Sequence, residues 1–181
     1  MPMNAEVIEM LRFRPYKDCD AETIVSWIGD ETAFRKWSAD RFDHYPITVD
    51  DLKAHYHAMD ESDSFFPMTA FDESGPVGHM IMRFTDPPKR VLRFGFIIVD
   101  SQKRNRGYGR EMLRLAIRYA FEMLSVEKIT LGVFKNNEQA CVCYLKSGFR
   151  LLSDGQETFY SIMGENWKCL ELEMDRSMSG F

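Results

Sequence analysis

Apolar and polar residues alternate from Met10 to Tyr16 and the alternation stops at Pro15, which predicts a first strand. Residues 19–28 read as a helix, with Asp20 as N-cap and Gly29 as stop. Residues 31–42 predict a short helix, and Thr48 or Asp50 starts another. Residues 66–71 and 77–84 are strand-like, and the turn-forming residues between them suggest a hairpin. Residues 91–99 make the strongest strand. A polar, glycine-containing loop follows over 100–109, and a helix runs from Arg110 to about Leu124. Arg110, Arg114, Arg118 and Glu122, four apart, give that helix one polar stripe. Residues 128–134 read as a buried strand, and a short helix then ends at Gly148, which suits a left-handed cap. Two closing strands, 149–154 and 167–174, flank a loop. The order predicts one α/β domain over residues 1–181, firmest over 91–150, with a mixed sheet of about six to seven strands and about four helices.

Composition narrows the function classes. The chain has 181 residues, and the 23 Lys and Arg against 28 Asp and Glu give a net charge of −5. Such a chain is a poor candidate for nucleic acid or an anionic membrane and a reasonable one for cationic partners such as amines. Cys19, Cys141, Cys143 and Cys169 form no C-x-x-C pair, and no histidine pair has metal-ligand spacing, so no metal and four reduced thiols are expected. The N-terminal segment lacks the pattern of a signal peptide, and no apolar run reaches the roughly 20 residues of a membrane span. A cytoplasmic protein is expected, and a homodimer is a compatible assembly.

The chemistry concentrates at Arg104, Asn105, Arg106, Gly107, Tyr108 and Gly109, between a strand and a helix. Glycines let the backbone approach a ligand, and a helix N-terminus offers unpaired N–H groups and partial positive charge, a combination that binds phosphate. Lys103, Arg104, Arg106 and Arg110 add charge, with no acidic residue among positions 103–110. A G-x-G turn on its own fits a plain tight turn equally well, and neither a Walker loop nor a dinucleotide fingerprint fits. A second constellation follows the strand at 128–134: Asn137, Ala140, Tyr144, Gly148 and Phe149, in the pattern N-x-x-A-x-x-x-Y-x-x-x-G-F.

With these two segments at this spacing, the sequence resembles the GNAT superfamily of acyl-CoA-dependent N-acyltransferases. Arg104, Gly107 and Gly109 match the family's pyrophosphate loop, Q/R-x-x-G-x-G/A, and the second segment matches at every fixed position. The layout is closest to the branch that acetylates ribosomal-protein N-termini and polyamines. The resemblance implies a GNAT-like fold whose splayed central strands bind acetyl-CoA, and transfer of its acetyl group to a primary amine by direct attack on the thioester. The amine would belong to a peptide or protein N-terminus, a polyamine or another small molecule. It implies that Ile97, Ile98 and Val99 offer backbone groups to the pantetheine, that residues from Asn105 to Arg110 with Arg104 hold the pyrophosphate, and that Gly95 marks a bulge or a close contact. Asn137 would reach the pantetheine or the acceptor, or else cap its helix, as Asn136 with Gln139 also would. Tyr144 would protonate the departing thiolate, or else be a core aromatic.

The sequence departs from the family at the base. The usual glutamate positions hold Arg93 and Gly132, and no spacing singles out Asp72, His79, Glu157 or Glu165 as a replacement. An acyl-CoA-binding sensor or structural module without transfer is therefore the alternative. On the acceptor side, acidic residues at Asp18, Asp20, Glu22, Asp30, Glu31, Asp60, Glu61 and Asp63 either attract a cationic amine or are solvated helix faces. Phe34, Trp37, Phe42 and Tyr45 fall where the family places its acceptor helices.

Overall fold

The computed structural model describes residues 10–60, 62–153 and 156–180. Strand β1 (Arg12–Pro15) leads through a 3-10 turn into helices α1 (Ala21–Ser26), α2 (Glu31–Ser38) and α3 (Val49–Met59). Strands β2 (Phe65–Asp72), β3 (Gly75–Phe84) and β4 (Val91–Val99) follow, then helix α4 (Tyr108–Arg118). The chain closes with β5 (Lys128–Phe134), α5 (Glu138–Lys146), β6 (Arg150–Leu151), β7 (Thr158–Ile162) and β8 (Glu165–Asp175).

The mixed α/β sheet expected from the sequence is present. Its order is β1-β2-β3-β4-β5-β8-β6, with β7 paired to β8. It has more strands than the sequence pattern shows because β6 has only two residues and β7 lies in the polar stretch read as a loop. The side chains of β7 are mostly exposed, so apolar alternation is weak there, and its pairing with β8 makes it a strand.

Among the described residues only β4 and β5 run parallel, and they pair only from Val91 opposite Lys128 to Phe94 opposite Leu131. Beyond those residues β4 stays on β3 and β5 stays on β8. The strands part because β4 carries a bulge. Gly95 faces Ile81 while Ile98 faces His79, so β4 spends one residue more than β3 over that interval. The left-handed residue is Phe96, at φ 49°. Gly95 marks the bulge as its flank, and a Cβ there would meet only Ile81 at 3.4 Å, so close packing does not demand the glycine. The extra residue switches the face that each side chain takes. Leu92 and Phe94 belong to the core under α4 and α5, whereas Phe96 and Ile98 join the core under α1–α3.

Helix α4 buries Met112, Leu113, Ala116 and Ile117 and exposes Arg110, Arg114 and Arg118, as its stripe predicts. It starts two residues earlier than expected and widens into a π turn over Tyr119–Met123. Thr48 caps α3, accepting from the Asp51 amide at 3.1 Å while Asp51 accepts from the Thr48 amide at 2.7 Å. Asp20 is the N-cap residue of α1, but its side chain makes no cap bond. Its buried carboxylate accepts from the Arg14 guanidinium twice at 2.8 Å, the Lys17 amide at 2.9 Å and the Thr69 hydroxyl at 2.9 Å, tying β1 to β2.

A second buried carboxylate fixes the turn before the glycine loop. Asp72 accepts from the Ser74 amide at 2.8 Å, the Lys103 ammonium at 3.0 Å and the Tyr108 hydroxyl at 3.1 Å, and also from the Ser74 hydroxyl. Burial pushes its carboxyl up, but these donors outweigh it and hold the pKa down to about 2. Asp72→Asn keeps the shape and removes the charge. A loss of about 1.5–3 kcal/mol at pH 7 is expected, or about 3–12 °C in Tm. A carboxyl with a depressed folded pKa contributes stability that is complete above its ordinary value, about 3.9, and is lost as pH falls through the folded value. The gap between wild type and variant should therefore shrink between about pH 4 and 2. Thermal melts at pH 7, 4 and 2.5 check this, and equal Tm values at pH 7 would refute the anchoring role.

Candidate functional site

The gap between β4 and β5 opens into a cleft of about 750 Å³. Residues 94–99 of β4 form one wall and Gly132 and Val133 of β5 the other. Gly107, Gly109 and Arg110 close one end, α5 lines a flank with Asn137, Ala140 and Tyr144, and Trp27, Asp30 and Trp37 border the opposite side. Of the residues expected to bind cofactor or act in catalysis, the structure gathers Ile97, Ile98, Val99, Arg104, Asn105, Gly107, Gly109, Arg110, Asn137 and Tyr144 around this one cleft. Arg106 and Tyr108 are not among its lining residues. Arg106 is exposed, and Tyr108 turns its hydroxyl away to Asp72.

The glycine end is built as an anion site. Asn105 and Gly107 adopt left-handed backbone conformations, at φ 62° and 88°, which bend the chain sharply into α4. Gly107 is the N-cap and has no side chain to accept from the amides of Gly109 and Arg110 in the first turn. A Cβ at Gly109 would meet Cys143 Sγ at 3.7 Å and Val99 Cγ2 at 3.8 Å, ordinary contacts. Protein packing therefore does not require glycine there, and what it leaves free is the approach from the cleft. Lys103 is committed to Asp72 at 3.0 Å, and Arg104, Arg110 and Lys146 are cations that line the cleft.

Asn137 begins α5, yet its side chain makes no cap bond; its carbonyl accepts from the Cys141 amide at 3.0 Å. The capping box of Asn136 with Gln139 does not form. Gln139 instead donates to Asn105 Oδ1 at 2.7 Å, joining the start of α5 to the glycine loop. Tyr144 is buried, with its ring edge-on to Phe149 at 6.4 Å. Burial, and then the neighbouring Cys143 and Cys141, push its hydroxyl well above its ordinary pKa, so it is a proton donor at neutral pH.

At the family's glutamate positions the structure holds an ion pair. Arg93 donates to both oxygens of Glu171, at 2.7 and 3.0 Å. Glu171 lies opposite Gly132 in the β5–β8 register, so a carboxylate reaches this place from the neighbouring strand. It sits far along the chain from either motif, and sequence spacing offered no signal for it.

The other base candidates are occupied elsewhere. His79 is fully buried, hydrogen-bonded to the Tyr56 hydroxyl at 2.6 Å, and pushed down to about 3 by burial. Glu157 pairs with Lys168, and Glu165 accepts from Trp167 Nε1 at 3.1 Å. Neither these nor Asp72 lines the cleft.

Most of the acidic residues on the acceptor side also have partners. Asp18 pairs with His57 at 3.0 Å, Glu31 with Arg35 at 3.7 Å, and Asp63 with Lys89 at 2.6 Å. Asp30 caps α2 through the Ala33 amide at 2.7 Å and is the one among these that lines the cleft. Glu61 lies outside the described residues. Trp37 lines the cleft, whereas Phe34 and Phe42 are core and Tyr45 packs on Phe34 at 5.2 Å.

Comparison with known proteins agrees with this geometry. Over 83 residues the chain is 36% identical to the L-amino acid N-acetyltransferase AaaT of Escherichia coli (strain K12), a match covering 45% of this chain and 51% of that protein. The chain thus spans about half the length of the curated relative it matches. Its fold superposes on the crystal structure of spermidine N-acetyltransferase from Vibrio cholerae in complex with CoA and spermine, with a TM-score of 0.79, 19% identity, and coverage of 93% of this chain and 97% of that one. A chimera of the Vibrio cholerae enzyme gives a TM-score of 0.75 at 19% identity, covering 92% and 96%. The model of the acetyltransferase (GNAT) family matches residues 31–149. The chain belongs to the GNAT acetyltransferase family.

Proposed function

We propose that this chain is one acetyltransferase domain that moves an acetyl group from acetyl-CoA to a primary amine by direct attack on the thioester. The observation that carries this is the parted β4–β5 pair opening onto an uncapped helix N-terminus. Acetyl-CoA supplies the activated acyl group. The amides of Gly107, Gly109 and Arg110, with Arg104, would hold its pyrophosphate against the positive end of α4. The edge of β4 from Gly95 to Val99, released from β5, would bind the pantetheine and set a backbone N–H against the thioester carbonyl. Tyr144 would protonate the sulfur as the thiolate leaves, and Asn137 would orient the pantetheine or the amine. The four cysteines are free, which fits a reducing compartment such as the cytoplasm. No described helix is long and apolar enough to cross a membrane.

The ion pair at the usual base positions favours a second reading, an acyl-CoA-binding module without transfer. Turnover separates the two: CoA release from acetyl-CoA in the presence of a pool of amines supports the transferase, and stoichiometric binding without release supports the module.

Two substitutions test the site itself. Gly107→Glu places a carboxylate at the helix start, where it repels the pyrophosphate. Acetyl-CoA at 100 times its Kd should stabilise the wild type by about 2.7 kcal/mol, or roughly 5–11 °C. The variant should lose that response in a thermal-shift assay, and an unchanged response would remove the loop from the binding site. Tyr144→Phe keeps the ring in its core and removes one hydroxyl. General-acid help is typically worth 10² to 10⁴-fold. A fall in kcat of at least about tenfold is expected, with acetyl-CoA affinity altered by no more than about threefold. Thiol release and calorimetry measure the two, and near-normal kcat would leave Tyr144 as packing.

A further inference from the structure

The face of the sheet beneath α2 and α3 carries an excess of positive charge next to the cleft. Arg83 on β3 and Arg93 on β4 stand directly opposite one another. Their side chains therefore share a face, an arrangement that repels and needs compensation. Arg93 has it, in the bidentate contact with Glu171. Arg83 does not. It is half-buried, and among the described residues no carboxylate lies within ion-pair distance of it. Burial, then Arg93, then Arg41 act on its guanidinium, all in the direction that disfavours the charge. Arg83 and Arg93 thus stand side by side with one carboxylate, which Arg93 holds, while the charge of Arg41 adds to the repulsion on Arg83.

The cluster adjoins the place of reaction. The tip of Arg93 reaches across to β5, so that a Cβ on Gly132 would stand 2.7 Å from its Nη2 and 3.2 Å from Glu171 Oε1. Gly132 lines the cleft, and so does Phe96 three residues beyond Arg93 on β4, about 10 Å along a strand. Arg41 precedes Phe42, whose ring stacks on that of Phe96 at 6.2 Å between centroids. A half-buried guanidinium lacking a partner is costly, and a carboxylate arriving with a ligand repays the cost through charge-assisted hydrogen bonds. A polyamine, with cationic groups beyond the reacting one, meets repulsion at the same spot.

We propose that the acceptor is a primary amine that also bears a carboxylate, and that Arg83, with Arg41 at the rim, holds this carboxylate while the Arg93–Glu171 pair forms the wall beside it. This rests on the transferase reading. The shared chemistry is an amine with a nearby anion, which a free amino acid or the acidic N-terminal residues of a peptide both provide.

The experiment measures CoA release with wild type, Arg83→Met and Arg83→Lys. The acceptors are a panel of L-amino acids, the same amino acids as carboxamides, dipeptide amides with Asp or Asn in the second position, and spermidine. Wild type should use at least one free acid, or one Asp dipeptide, at least about tenfold better in kcat/KM than its neutral counterpart, the yield of one hydrogen-bonded charge pair. Which arm shows the preference identifies the source. Arg83→Met should raise KM for that acceptor at least about tenfold. It should leave the neutral counterpart within about twofold, and Arg83→Lys should recover part of the loss. Arg83→Met also removes a like-charge contact, so its Tm should equal or exceed that of wild type. Neutral amides or spermidine used as well as the acids, or acid and amide weakened equally by Arg83→Met, would overturn the carboxylate assignment and leave the transferase standing. Absence of CoA release with every acceptor would overturn both.

Discussion

The site depends on β4 and β5 pairing in parallel for only four residues each and then separating. A parallel pair inside a sheet ordinarily continues, because each unpaired backbone group left in the interior costs free energy. Here both strands keep an outer neighbour beyond the parting, β3 for one, apart from the bulge at Phe96 and Ile97, and β8 for the other. Their inner edges are the walls of the cleft. The groups missing from the ladder are the ones that a ligand of linear, amide-containing chemistry satisfies. What would be a defect in a purely structural sheet thus becomes the binding surface.

The same bulge explains how one strand serves two compartments. By spending an extra residue at Phe96, β4 sends Leu92 and Phe94 into the core under α4 and α5, and then Phe96 and Ile98 into the core under α1–α3. The strain of a left-handed phenylalanine, about 1–2 kcal/mol, is offset by burial of its ring among Trp37, Phe42 and His55. Anchoring on both sides makes the parting of the strands a rigid feature. At the far end, Asp72 fixes the loop by binding Lys103 ahead of the glycines and Tyr108 between them, and Gln139 holds Asn105 from α5. The anion site is therefore clamped from β2 and from α5 independently of any ligand.

Legibility followed how local each signal was. The strand at 91–99, the loop at 104–109 and the helix holding Asn137 and Tyr144 are contiguous segments whose glycine spacing and apolar period state their structure directly, and the cleft forms where they meet. Asp20 stands at the N-cap position of α1 as the sequence predicts, but its side chain makes no cap bond. Its partners Arg14 and Thr69 come together only when β1 pairs with β2. Strand β7 escaped notice because exposed strands lack alternation. Gln139 sat between fixed positions of a motif as a free position, and its bond to Asn105 spans 34 residues. Glu171 and Arg83 had no signal at all, since their meaning comes from register: one faces Gly132 and the other faces Arg93. Base positions and charge clusters that assemble across strands are invisible until the pairing is known.

Charge distribution connects the two ends of the cleft. The chain carries a net −5, yet Lys36, Arg104, Arg110 and Lys146 line the cleft, and Arg83 and Arg93 stand on the sheet face next to Gly132. The acidic excess is largely spent in pairs and caps on the outside, as with Asp18, Glu31 and Asp63, or buried with dedicated donors, as with Asp20 and Asp72. An overall acidic chain can therefore present a locally positive passage, because net charge is a sum over surface that a ligand never meets. The sign at the cleft, set by a few half-buried groups in reduced dielectric, governs which amines enter far more than the total does. Of the carboxylates that strand register places toward the narrow end, Glu173 is held by Lys128 and Arg150, and Arg93 holds both oxygens of Glu171. A carboxylate so engaged is a strut. It fixes the Arg93 guanidinium against β5, and this leaves Arg83 as the charge that an incoming anion can neutralise.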